Sequence, residues 1–99
     1  MLALESDTVL ALEQGIVLHS LPGQNHFFAF SVISGDEFKL NQTSFWVLET
    51  IGEGIKWDKL KSSFLKTFDV APKQGESDLR EIVSQFYKEK IIRRRDNGN

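Results

Sequence analysis

The stretch FKLNQTSFWVLETIGEG, Phe38–Gly54, changes its period part-way. Up to Leu40 it reads as a strand, with Phe38 and Leu40 on one face and Glu37 and Lys39 on the other. From Asn41 it reads as a helix. Asn41 is a favourable N-cap, able to accept from the amide of Thr43 or Ser44. Phe45, Leu48 and Ile51 then recur at helical spacing, and the Gly52–Gly54 stretch ends the helix. A strand running directly into a capped helix is the junction from which the rest of the chain is read.

Before this junction the chain is β-patterned. Turn signals at Gly15, at Leu21–Asn25 and at Ser34–Asp36 separate the runs GIVLHSL, HFFAFSVI and EFKL. In the second run Phe28, Phe30 and Val32 share one face, and Ala29 and Ser31 the other. TVLALE, ahead of Gly15, reads as an extra extended segment with no evident role. After the junction the pattern is helical. Trp57, Leu60, Phe64 and Phe68 form one stripe, Asp69 and Pro72 break the chain, and Leu79, Ile82, Val83 and Phe86 form another stripe on a final helix that begins near Glu76. Phe28, Phe30, Phe45, Phe64, Phe68 and Phe86 are expected in the core. Trp46 lies one position off its stripe, either partly exposed or at a rim. The expected architecture is α+β, a three-stranded antiparallel sheet followed by three helices, like a winged helix-turn-helix. It forms one domain over residues 1–99, with a polar tail from about residue 93.

The totals narrow the function. A chain of 99 residues suits a single core, and eight Phe and two Trp supply large anchors for it. With no Cys, disulfides, thiolate catalysis and Cys-ligated zinc are excluded. A net charge of −2 disfavours nucleic acid. No run approaches the roughly 18 apolar residues of a membrane span, and MLALESD has no basic start like that of a signal peptide. A soluble, cytoplasmic protein is expected, with no membrane association.

Catalytic groups are sparse. His19 and His26 have no second ligand at metal spacing. Asp36 and Glu37 are adjacent on a strand, so they point to opposite faces and cannot act on one atom together. The glycines form no phosphate cradle. No catalytic residue, metal or cofactor is expected, and the chain is not expected to be an enzyme. Arg93, Arg94 and Arg95 read as a solvated tail or a nucleic-acid contact. The lysines at 56, 59, 61 and 66 suit a solvated face, and they lack the neighbouring Arg, Asn and Gln that read base edges.

Read together, these landmarks resemble the PqqD family. Its members are the pyrroloquinoline-quinone synthesis D proteins and their relatives, the precursor-peptide recognition elements of ribosomal peptide natural-product (RiPP) biosynthesis. The third strand ends in Leu40-Asn41-Gln42-Thr43, a later helix ends in Phe68-Asp69-Val70, Pro72 follows, and the last helix carries Asp78-Leu79. The resemblance runs from about Gly15 to Ile92. It departs at Phe45, where small residues are usual, at Trp46, and at Lys90, where Gly is common. What the resemblance implies is a non-enzymatic, stand-alone adaptor, a chaperone of its peptide. It would bind the leader peptide of a precursor and deliver it to a modifying enzyme, often a radical S-adenosylmethionine enzyme, or to a leader peptidase. The leader would add to the third strand and lie against the third helix. Peptide contacts are therefore expected at Asp36, Glu37, Phe38, Lys39 and Leu40. On the last helix the apolar surface extends from Leu79 past Val83 to Tyr87, beside Arg80, and this flank is expected to face the leader. Arg80 and Lys39 would pair with its acidic residues. A winged-helix DNA-binding regulator and a scaffold without peptide cargo are the alternatives.

Overall fold

The computed structural model describes residues 2–21 and 23–95. Pro22 of the first turn and residues 96–99 of the expected tail lie outside the described residues. Among the described residues, six strands and three helices follow one another as β1 (Val9–Leu12), β2 (Ile16–Leu21), β3 (His26–Ser31), β4 (Glu37–Leu40), α1 (Gln42–Ile51), β5 (Ile55–Lys56), α2 (Trp57–Phe68), α3 (Pro72–Lys88) and β6 (Ile92–Arg95). The α+β reading holds, and β2-β3-β4 form the expected antiparallel sheet. A second three-stranded sheet, β5-β1-β6, was not expected. The TVLALE segment is its central strand, and Arg93–Arg95, expected as the start of a polar tail, lie with Ile92 in β6, which pairs antiparallel with β1. Three consecutive arginines show no alternation to mark β6. It is held as a strand by its neighbour, with Ile91 and Ile92 fully buried at its start.

Register corrects the face of β3. Directly opposed residues share a face, and Phe38 and Leu40 of β4 stand opposite Ala29 and Phe27. Since Phe38 and Leu40 pack inward, Ala29 must do so too, and it is fully buried. Phe27 meets Phe45 of α1 with ring centroids 5.0 Å apart. The face carrying Phe28, Phe30 and Val32 is therefore the outer one, and Phe30 is 39% exposed rather than in the core. Alternation decides which residues share a face, but not which face meets the helices.

The helix starts are set by different devices. The Asn41 side chain accepts from the Ser44 amide at 2.7 Å, capping α1 as expected. No side chain caps α2. Instead its first amides, those of Trp57 and Asp58, donate to the carbonyls of Thr8 and Ser6. The segment before β1 thus serves as the cap of a helix some fifty residues away, with Thr8 itself buried. The third helix starts earlier than expected, with Pro72 in its first turn. Gly75, within that turn, lets the helix approach α2: a Cβ there would collide with Leu65 and Val70.

The same helix also ends earlier than expected. Lys90 donates to the Tyr87 carbonyl and Ile91 to the Phe86 carbonyl, the paired bonds of a Schellman ending. Buried Ile91 and Phe86 are the matching hydrophobic pair. This ending places Lys90 at φ 61°, a left-handed conformation that favours Gly. Lys90→Gly should stabilise the domain by about 1 kcal/mol, raising Tm by roughly 4–8 °C in calorimetry. An unchanged or lowered Tm would refute this account of the helix ending.

Candidate functional site

The open edge of β4 is the first element of the site. In its sheet, β4 pairs with β3 on one side only. The Ser31 amide donates to the Asp36 carbonyl, which sets the hydrogen-bonding parity of the pair. By alternation Phe38 and Leu40 bond to β3, so the N–H and C=O groups of Glu37 and Lys39 point away from the sheet. Two residues thus offer four backbone groups to an incoming strand. Asp36 is held at the entry by the Ser34 hydroxyl, which donates to its carboxylate at 3.0 Å.

Beyond the end of β4, where α1 begins, a cleft of about 680 Å³ opens between α1, α2 and α3. Asn41, Thr43 and Ser44 form one wall, and Asp78, Glu81, Ile82 and Gln85 form the other. Phe64, Phe68, Val70 and Phe86 supply apolar lining. Trp46 packs behind it, edge-on to Phe68 at 5.1 Å and tilted against Phe64 at 6.0 Å. The indole is therefore half-buried aromatic packing that backs the cleft wall. The cleft is apolar inside, with two carboxylates on its α3 side.

The sequence-expected residues divide between different surroundings. Asp36 to Leu40 lie together along the edge, with Glu37 and Lys39 outward and Phe38 and Leu40 against the core. On α3 the expected flank does not line the cleft. Leu79 and Val83 have no exposed surface and offer nothing to a ligand. At about 3.6 residues per turn, Arg80 and Tyr87 lie roughly half a turn from the cleft-lining Asp78 and Gln85. Tyr87 borders a different hollow, beside Leu2 and Ile92. Sequence reasoning chose the flank that continued the apolar stripe. The cleft lies along the polar flank, because α1 and the end of β4 approach α3 from that side. The substitution Val83→Asp would test core stability rather than binding.

Arg80 is occupied within the fold. Its Nε donates to Glu76 at 3.0 Å, and its guanidinium lies 5.2 Å from the ring centre of buried Trp57. Lys61 of α2 joins Glu76 at 3.5 Å. The Arg80 hydrogen bond, chiefly, holds the Glu76 carboxyl below the usual carboxylate range; partial burial opposes this and the charge of Lys61 assists it. A lowered folded pKa means the contribution is present above the unfolded pKa and is lost as pH falls through the folded one. Arg80→Ala, which removes the cation over the Trp57 ring, should lower stability by about 0.5–2 kcal/mol in urea titrations, while binding at the β4 edge is unchanged. A large loss of binding without loss of stability would return Arg80 to the site.

No group of three or more His, Asp or Glu side chains is placed to hold a metal among the described residues. None of the described helices is long and apolar enough to cross a membrane.

Comparison with family models and with curated protein sequences gives no match. Comparison with solved structures does. The chain is similar to the solution NMR structure of the PqqD truncation of Methylobacterium extorquens PqqCD, a functional and stand-alone RiPP recognition element. The TM-score is 0.72 at 17% identity, covering 93% of this chain and 96% of that one. It is similar also to TbiB1, solved in complex with the TbiA(beta) leader peptide. There the TM-score is 0.69 at 12% identity, covering 88% of this chain and 99% of TbiB1. The TM-scores and the near-complete mutual coverage show that the chain has the fold of the PqqD-like RiPP recognition elements.

Proposed function

We propose that this protein is a leader-peptide-binding adaptor. It captures the leader segment of a ribosomal precursor peptide as an added strand and delivers it to a modifying enzyme or a leader peptidase. The observation that carries the reading is the unpaired β4 edge, whose Glu37 and Lys39 backbone groups face outward beside an apolar cleft. Strand addition draws affinity from backbone bonds and specificity from side-chain pockets. The same reading makes the adaptor cytoplasmic and without catalytic groups of its own.

Magnitudes say what the leader must contain. Four backbone hydrogen bonds contribute about 0.5–1.5 kcal/mol each in net terms. Association costs consume most of that, and micromolar binding requires about −8 kcal/mol. The remainder must come from apolar burial. The leader therefore carries at least one large apolar side chain for the space lined by Phe68, Val70 and Ile82. Lys39 is left as the cation at the edge for an acidic leader residue, because Arg80 is paired with Glu76.

The test is titration of the labelled protein with a leader peptide encoded beside its gene. Amide shifts are expected at residues 36–41 and on the cleft side of α3, at Asp78, Glu81, Ile82 and Gln85, with a change in Trp46 emission. Saturable binding with shifts elsewhere would overturn the site, and no binding by any neighbouring precursor would overturn the function. Duplex DNA serves as the control for the winged-helix alternative, which requires binding that weakens steeply with salt.

A further inference from the structure

A second open edge lies on the other sheet. β6 is the outer strand of β5-β1-β6 and pairs only with β1. The Glu13 amide donates to the Ile91 carbonyl, which sets the parity there. By alternation the N–H and C=O groups of Ile92 and Arg94 point away from β1. Beside this edge is a hollow of about 890 Å³, where the end of α3 meets β6. Lys88, Lys90, Arg93 and Arg94 surround it, and Glu13 is the one carboxylate lining it among the described residues. None of these four cations has an ion-pair partner among the described residues. Leu2, Ile92 and the half-exposed Tyr87 line the rest.

Each basic residue has a partial local explanation. Lysines offset the negative end of a helix dipole, and charges blunt an open strand edge. Neither accounts for cations from two elements converging on one hollow with an apolar lining, in a chain whose net charge is −2. We infer that this hollow and the β6 edge form a second docking site, for an extended acidic segment of a protein partner. Its backbone pairs with Ile92 and Arg94, its carboxylates meet Lys88, Lys90, Arg93 and Arg94, and an apolar side chain enters against Leu2, Tyr87 and Ile92. A nucleic acid fits less well. Its phosphates would meet Glu13, the overall charge does not attract a duplex, and the strand edge and apolar lining would go unused. The inference stands on β6 alone and does not depend on what binds β4.

The probe is a synthetic twelve-residue peptide of Glu and Asp with a central Leu-Ile pair. Controls are its Gln/Asn counterpart and a short DNA duplex, all titrated into the full chain at low salt. Amide shifts are expected at residues 84–94 with the acidic peptide and not with the neutral one. The double variant Lys90→Glu, Arg94→Glu should weaken binding at least tenfold, about 1.4 kcal/mol, with its circular dichroism unchanged. If that variant does not fold, Arg94→Gln alone should weaken binding measurably. Absence of shifts, equal shifts with the neutral peptide, or tighter binding of the duplex would overturn the proposal.

Discussion

Replacing Trp57 by Ala should leave a domain with little of its stability. Trp57 is 1% exposed and is the largest fully buried side chain. Truncating a buried Trp costs about 3–5 kcal/mol in lost transfer energy and residual cavity. A domain of this size has roughly 5–15 kcal/mol in total. Two further losses are specific to this position. Arg80 loses the ring beneath its guanidinium, and the first turn of α2 loses the packing that holds its amide on the Thr8 carbonyl at 2.7 Å. Trp57→Phe keeps a ring under Arg80 and should cost much less. Urea denaturation followed by the fluorescence of Trp46 reads both variants, since that indole remains. A loss below about 1 kcal/mol for the Ala variant would mean that the core is not organised around this residue.

Trp57 also shows how far a sequence carries. Its place on the Trp57–Leu60–Phe64–Phe68 stripe was legible, because a helical face follows from spacing alone. The role of the segment before β1 was not. It caps α2 through backbone carbonyls, and carbonyls leave no mark in residue identity. The same limit applies at β6. A two- or four-residue strand paired with a neighbour has too few positions to show a period, and the arginines there look like a tail. At the site, the division follows similar lines. The β4 strand and its end could be read from alternation and from the Asn41 cap, both local properties, whereas its place at the sheet edge depends on pairing that neither records. Which flank of α3 faces the cleft depends on the side from which α1 approaches, and the apolar stripe does not record that. Asp78 and Gln85 are plainly polar in the sequence, but nothing local identifies a polar flank as a cleft wall. Lys90 is the converse case. It departs from the Gly common at its position in the resembling family, and the structure keeps the left-handed turn that such a Gly would favour.

The largest functional effect is expected from Lys39→Pro. The Lys39 N–H points away from β3, so losing it breaks no bond within the sheet. Proline is tolerated on an edge strand when its missing N–H would have faced solvent. The residue before it, Phe38, is already extended, as proline requires of its predecessor. The variant should therefore fold, with a loss of stability below about 1 kcal/mol. An added strand would fare differently. It would lose one donor at the centre of a four-group edge, and the pyrrolidine ring would stand where its carbonyl must approach. An unmade hydrogen bond with a stranded acceptor costs about 1–3 kcal/mol, so leader affinity should fall by one to two orders of magnitude. Lys39→Ala separates the two contributions of this residue. It removes the charge and keeps the N–H, and its exposed ion pair with an acidic leader residue is worth about 1 kcal/mol or less. Calorimetric titration of both variants with one leader peptide gives the comparison. Strand addition requires proline to be clearly worse than alanine. Equal losses would mean that the side chain, and not the open edge, holds the peptide.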